Sequence, residues 1–282
     1  MITFPEFGIE LNISPIAISI LGIEIYWYAI FIIGAIILSL AILKITTKNT
    51  EVEYDNILEL SIYMLPIAFI SARLYYVLFN LEYFFQNPME IFNIKSGGLA
   101  IYGGIIGGAI VAYIYCKKKQ IKITPLLDNI VPVLALSQSI GRWGNFFNIE
   151  AYGTQTNSIF RMGIIENGIY KQVHPTFLYE SIADFIIFLI LITINKKRQK
   201  IGETTLLYLI LYSFVRFFIE GIRSDSLMLY NIKISQLLSL LIFVVSCSML
   251  SNVVVKHRKN IENKGIWHTK KWQNIVKILK SM

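Results

Sequence analysis

Charge is scarce in this chain. Of 282 residues only 16% are Asp, Glu, Lys or Arg, while 55% are hydrophobic and 13% aromatic. Soluble chains carry about 25% charged residues, so an ordinary water-soluble surface is excluded. Cysteine is scarce as well. Cys116 and Cys247 both fall in or at the ends of apolar runs, which excludes a disulfide framework and a cysteine-rich metal site. The three histidines, His174, His257 and His268, are too scattered to suggest zinc, and no cluster of aspartates offers a site for a divalent cation. No metal and no cofactor are expected. The opening MITFPEFGIELNISP has no basic region ahead of an apolar core, and so does not read as a cleaved signal peptide.

What the chain has instead is long apolar runs. Several approach or exceed the roughly 18 to 20 residues that cross a bilayer as a helix. Seven candidate spans are expected at 16–43, 57–80, 99–116, 125–141, 175–195, 203–222 and 233–255. The fold class expected is all-α, a polytopic membrane protein of about seven transmembrane helices with a small extracytoplasmic segment. The net charge of +8 does not point to nucleic acid, because the lysines sit in short clusters between apolar runs, which is how orientation is set in membranes. Counting the N-terminus as outside, the inside segments hold Lys44 and Lys48, the cluster Lys117 to Lys122, the cluster Lys196 to Lys200 and eight basic residues beyond Val255. The outside segments hold only Lys95, Arg142, Arg161, Lys171, Arg223 and the borderline Lys233. This asymmetry predicts an outside N-terminus and a cytoplasmic C-terminus.

A single membrane-embedded domain is expected over 1–255, with the extracytoplasmic segment at 142–174. Residues 256–282 form a basic cytoplasmic tail. Its end, GIWHTKKWQNIVKILKSM, puts Trp272, Ile275, Val276 and Leu279 on one helical face. That pattern suits an interfacial helix on an anionic leaflet, and a frayed tail equally.

Ionisable residues inside spans are costly and commonly mark sites. Arg73 lies in SARLYYVLFN, where it either serves a site or snorkels to the surface. Arg216 and Glu220 in VRFFIE lie four apart on one helix face, either as an orienting ion pair or as part of a site. In SGGLAIYGGIIGG, Gly103 and Gly104 begin overlapping GxxxG patterns, which permit close helix packing or close approach of a ligand. Tyr102 precedes them at the mouth of the third span. HPTFLYE reads as a helix entry with proline in the first turn. That explains His174 and Pro175 but leaves Glu180 nearly two turns into an apolar helix. Tyr26, Trp27 and Tyr28 fit an interfacial aromatic belt.

The densest polarity is GRWGNFFNIEAYG, residues 141 to 153. Arg142, Asn145, Asn148 and Glu150 follow the fourth span within a few residues, and Gly141, Gly144 and Gly153 allow turns and close approach. Arginine matches phosphate oxygens with a planar fork of donors, and asparagine both donates and accepts. The set suits an anionic, hydroxyl-bearing head group at the membrane boundary.

This stretch resembles the signature of the bacterial prolipoprotein diacylglyceryl transferases. FPEF (4–7), WYA (27–29), SARLYYVLFN, GGLAIYGG, HPTFLYE and VRFFIE resemble further blocks of that family, in family order, up to about residue 225. The resemblance implies a seven-span inner-membrane enzyme with its N-terminus outside. It would transfer the diacylglyceryl group of phosphatidylglycerol to the lipobox cysteine thiol of a prolipoprotein signal peptide, leaving a thioether and glycerol phosphate. By motif it carries over Tyr28, Arg142, Asn145, Glu150, Gly153, Arg216 and Glu220. With Tyr102 these give a catalytic set of Tyr102, Arg142, Arg216 and Glu220. The substrate-binding set is Tyr28, Arg73, Gly103, Gly104, Asn145, Asn148, Glu150, Gly153, His174, Tyr179, Glu180 and Tyr212. Some family members carry histidine where IYGG has Tyr102. A tyrosine with a pKa near 10 does not replace a histidine base, so Tyr102 either positions substrate, or is acidified by an arginine, or the base lies elsewhere.

The chemistry needs a thiol to ionise, from a pKa of about 8.5, and a leaving phosphate to be stabilised. Arg142 and Arg216 are expected to bracket that phosphate, with Glu220 and Glu150 orienting the guanidiniums and Asn145 and Tyr28 holding glycerol or ester oxygens. A transporter for an anionic lipid would show internal repeats or a polar stripe through several spans. The sequence shows no internal repeat, and its polarity gathers at one face.

Overall fold

The computed structural model describes residues 1–48, 50–93, 97–197, 200–224, 226, 228–230 and 232–253. In chain order the strands and helices are β1 (Ile2–Phe4), β2 (Ile9–Leu11), β3 (Ile16–Ile20), β4 (Ile23–Tyr26), α1 (Trp27–Thr46), α2 (Tyr54–Leu78), α3 (Leu81–Gln86), α4 (Ile101–Lys119), α5 (Ile123–Asn148), β5 (Met162–Glu166), β6 (Ile169–Val173), α6 (Thr176–Lys197), α7 (Glu203–Ile222), β7 (Met228–Leu229) and β8 (Ile232–Lys233). A last long helix, α8, runs over Ile234–Val253. Six of these helices, α1, α2, α5, α6, α7 and α8, are long and apolar enough to cross a membrane. The chain is a multi-pass membrane protein. The expected third span, 99–116, coincides with the helix α4, which ends in Lys117, Lys118 and Lys119 and is not one of those six.

Two expected boundaries differ from those observed. The apolar run from 16 opens with a β-hairpin, and the helix begins only at Trp27. Total hydropathy is the same for both, but Leu21-Gly22 turns the chain and Ile18, Ile20, Ile23 and Ile25 alternate at the strand period. The fourth span, expected to stop at 141, continues as α5 to Asn148. Polar side chains end a hydrophobic run without ending a helix, so Arg142, Asn145 and Asn148 are helical, and the non-helical segment begins at Ile149. The expected tail at 256–282 lies outside the described residues.

The chain divides into two compact units. One comprises Leu40–Ile130 and is built on α2 packed along α4. Glycine makes that packing close. A Cβ at Gly103 would strike the Ser71 carbonyl and Tyr75, and one at Gly107 would strike the Ser71 side chain. Pro66 sits inside α2, as membrane helices tolerate.

The other unit comprises Met1–Ser39 and the described residues from Val131 onward. Its four-stranded antiparallel sheet has the order β2-β1-β5-β6. Ile2 pairs with Ile164, and Glu166 with Ile169 across the turn Asn167-Gly168. Both turn residues have positive φ, 52° and 77°, the form that Asn-Gly favours in two-residue hairpins. Ile2, Met162, Ile164 and Val173 form a core with Phe146 of α5 and Phe177 of α6, which seats the sheet on the ends of those helices. A second core joins Val131 and Ala135 of α5 to Ile187 and Leu191 of α6 and Tyr208 of α7. These two cores fix the facing positions from which the polar side chains below project.

Candidate active site

Glu180 organises the polar cluster of the second unit. It lies one turn into α6 and is 3% exposed. Its Oε2 pairs with Nη2 of Arg142 from α5. Its Oε1 accepts a hydrogen bond from Nη1 of Arg216 on α7, at 2.8 Å. Nη1 of Arg223, just past the end of α7, stands 3.8 Å from the same oxygen. Arg216 also pairs through Nη2 with Glu220 Oε2, at 2.5 Å and one turn along its own helix. That contact is an ion pair without hydrogen-bond alignment, since Glu220 Oε2 accepts no aligned donor. Three helices thus bring three arginines and two buried carboxylates to one point. Each carboxylate is the condition for burying its guanidinium, because an unpaired buried charge is far costlier than a paired one. The arginine side chains keep between 13% and 20% exposure, so the cluster is not sealed. The contacts of Arg142 and Arg216 leave further N–H donors of each fork available to an anion.

A second polar group surrounds Glu150. Its Oε1 accepts from Asn145 Nδ2 at 2.8 Å and from Asn148 Nδ2 at 3.3 Å. The expectation that Glu150 orients a guanidinium is therefore corrected. Asn145 and Asn148 hold Glu150, while Glu180 pairs with both arginines and Glu220 pairs, as expected, with Arg216. Distance along the sequence concealed this, since Glu180 lies 38 residues beyond Arg142 while Glu150 is close by. The residues flanking Glu150, Ile149 and Ala151, have left-handed backbone, with φ of 53° and 56°. For a β-branched isoleucine that is a real strain, and strain of this kind concentrates at functional turns.

Glycines let the pieces meet. The Tyr28 ring lies against Gly144, where a Cβ would collide with its Cδ2. Trp27 stacks on Phe147, with centroids 4.8 Å apart, which fixes the start of α1 beside the end of α5. Gly153 bridges to Arg223 and donates its N–H to the His174 carbonyl at 2.9 Å. A Cβ there would press on His174 and the Ile222 carbonyl. Gly153 thus ties the entry of α6 to the end of α7, and sets the backbone from which Arg223 reaches Glu180. His174 Nδ1 lies 3.3 Å from the Tyr179 hydroxyl. Tyr212 stacks on Tyr208, whose hydroxyl donates to Gln138 Oε1 at 2.9 Å.

Sequence reading missed two residues here. Arg223 was counted only as a loop charge. Asp184 lies one turn beyond Glu180 on α6, is 1% exposed, and leaves Oδ2 without a hydrogen-bond partner. It feels the charges of Arg142, Glu180 and Arg216. The signal was present as a second carboxylate four residues after the first inside an apolar helix.

The other candidates belong to the unit of residues 40–130. Arg73 gives all five of its N–H bonds to main-chain carbonyls: Nε to Ile91, Nη1 to Gly97 and Gly98, and Nη2 to Glu90 and Asn93, at 2.5 to 3.0 Å. Its guanidinium also lies over the rings of Tyr76 and Phe84. Here it cinches the loop between α2 and α4. Tyr102 opens α4 and is partly exposed. Gly103 is packed on α2, and Gly104 has ordinary clearance from the Ala68 carbonyl.

The family model for prolipoprotein diacylglyceryl transferase matches residues 15–251. The chain belongs to this family of transferases. A Finegoldia magna protein named phosphatidylglycerol–prolipoprotein diacylglyceryl transferase is 44% identical over 247 residues, covering 87% of this chain and 96% of that protein. A Clostridioides difficile protein of the same name is 44% identical over 226 residues, 80% of this chain and 90% of its own. One from Pediococcus pentosaceus is 40% identical over 250 residues, 84% of this chain and 89% of its own.

Proposed function

We infer that this chain transfers the diacylglyceryl group of phosphatidylglycerol to the lipobox cysteine of a prolipoprotein signal peptide, the first step of bacterial lipoprotein maturation. The observation that carries this reading is the convergence of Arg142 and Arg216 on the two oxygens of Glu180. Two guanidiniums held by one carboxylate form a fixed, partly open pair whose remaining donors match a phosphodiester. The thiol sulfur forms a bond to the terminal glycerol carbon of the diacylglyceryl group. The bond from that carbon to the phosphate oxygen breaks, its electron pair leaves with glycerol phosphate, and the thiol proton is released.

The arginines act twice in this scheme. They stabilise charge as it builds on the departing phosphate, which a preorganised low-dielectric site does better than water. Their field also favours the thiolate over the thiol. Asn145 and Tyr28 hold glycerol or ester oxygens, with Glu150 fixing the rotamer of Asn145. Tyr102 acts by position as a hydrogen-bonding group, because a phenol is a poor base at neutral pH. The topology that goes with this reading places the N-terminus and the arginine cluster on the outer side and the basic segments in the cytoplasm, following the charge asymmetry.

The test is incubation of purified protein with phosphatidylglycerol vesicles and a lipobox peptide, read by mass spectrometry. Gain of one diacylglyceryl unit on the peptide cysteine, with none on a cysteine-to-serine peptide, is expected. Release of glycerol phosphate without peptide modification overturns the reading.

A further inference from the structure

The β3–β4 hairpin has no role in the scheme above, yet its composition needs an explanation. Ile18 pairs across the hairpin with Ile25, and Ile20 with Ile23. Cross-strand partners share a face, so four isoleucines line one side and Ser19 and Glu24 the other. The turn is Leu21-Gly22, with φ of 50° and 79°. Two-residue turns with positive φ at both positions favour Asn, Asp or Gly at the first. Leucine is a poor choice there, because its Cβ crowds the carbonyl in left-handed backbone. It is also 99% exposed, and Ile23 is 69% exposed. The turn therefore carries a conformational cost and a solvation cost at the same residue. In water nothing offsets either.

An apolar layer would offset both. Tyr26 ends β4 and Trp27 begins α1 with no residue between them, so the hairpin is continuous with a membrane-crossing helix. Leu21 at the tip lies six residues before Trp27, which at about 3.3 Å per residue is within about 20 Å of the start of the span. No lysine or arginine precedes Lys44, so attraction to anionic head groups is not what brings the hairpin to a surface. We propose that the β3–β4 hairpin inserts its tip, Leu21 with the Ile20 and Ile23 side chains, into the apolar layer of the leaflet on the side where α1 begins. The opposite strand face, where the Glu24 carboxylate accepts from the Tyr26 hydroxyl at 3.1 Å, stays toward water and head groups. An inserted hairpin also fixes the depth of the first turn of α1, and with it that of Tyr28 against Gly144.

The experiment places a nitroxide at Leu21→Cys or at Glu24→Cys, in full-length protein whose Cys116 and Cys247 are replaced by alanine. The protein is reconstituted into phosphatidylcholine vesicles with and without phosphatidylglycerol. At position 21 the label should collide more with oxygen than with a water-soluble nickel chelate, and at position 24 the preference should reverse, alike in both vesicles. A Leu21→Trp variant should gain fluorescence that lipids brominated on their acyl chains quench. Chelate-dominated collisions at both positions overturn the proposal. So does insertion seen only with phosphatidylglycerol, which would mean head-group recognition. Spin–spin broadening at position 21 also overturns it, by showing a second copy as the occupant.

Discussion

Arg142 and Arg216, from different helices, each grip one oxygen of the Glu180 carboxylate. Removing that carboxylate takes the ion pair from Arg142 and leaves Arg216 with Glu220 alone. Glu180→Ala should therefore destabilise the protein by about 3 to 5 kcal/mol, the usual cost of orphaning a buried charge. Glu180→Gln keeps the shape and removes the charge. It should remain folded while losing lipidation by about a hundredfold or more, in keeping with the loss of one preorganised electrostatic contact. Melting in detergent and peptide lipidation rates measured together separate the two effects.

The two arginines should not be equally replaceable. Arg216 contacts Glu180 and Glu220, whereas Arg142 contacts Glu180 through one nitrogen. Arg216→Ala should abolish turnover. Arg142→Lys should keep the fold and lose most of the turnover, because lysine lacks the fork. Near wild-type rates in the lipidation assay for both would remove the phosphate clamp from consideration.

Neighbouring glycines give a sharp contrast. A methyl at Gly141 meets only Ile32 Cδ1 at 3.8 Å, whereas at Gly144 it runs into the Tyr28 ring. Gly141→Ala should be neutral or stabilise α5 by up to about 1 kcal/mol. Gly144→Ala should displace Tyr28 and reduce lipidation severalfold or more. Melting curves and rates for this pair check the packing at the start of α1.

Arg73 predicts protection rather than chemistry. With five main-chain carbonyls on one guanidinium, Arg73→Lys can keep three at most. Amide exchange over residues 79 to 93 should rise by an order of magnitude or more. Gly98→Ala should act the same way, since its φ is 77° and its Cβ would press on Arg73 Nη1. Hydrogen exchange by mass spectrometry reads both.

Tyr102 separates positioning from base catalysis. Tyr102→Phe keeps the ring at the start of α4 and removes the hydroxyl. A loss within about tenfold in lipidation rate is expected for a lost neutral hydrogen bond. Loss of all turnover would make the phenol the base.

The helices were legible because a bilayer imposes length and apolarity on every span, and the seventh expected run, 233–255, became Ile234–Val253. The hairpin before α1 was not, because a sum over apolar residues does not distinguish strand from helix. Its period-2 isoleucines and Leu-Gly turn carry that information locally. At the site, Arg216 and Glu220 were readable as a pair because helix geometry relates residues four apart. Glu180 was noticed as out of place, but its partners come from two other helices, and only the packing of α5, α6 and α7 brings them to it. Arg223 went unread for the same reason, whereas Asp184, a second carboxylate four residues after Glu180 in an apolar helix, was readable from the spacing alone.

The pairing of Ile2 with Ile164 has a consequence for biogenesis. The first strand of the chain stays without its neighbour on that side until β5 has been synthesised and delivered to the same side of the membrane. By then α1, α2, α4 and α5 have already been made. Closure of the sheet is thus a late event in assembly, and a nascent chain halted before residue 162 should expose its N-terminal strand to proteases that the finished protein resists.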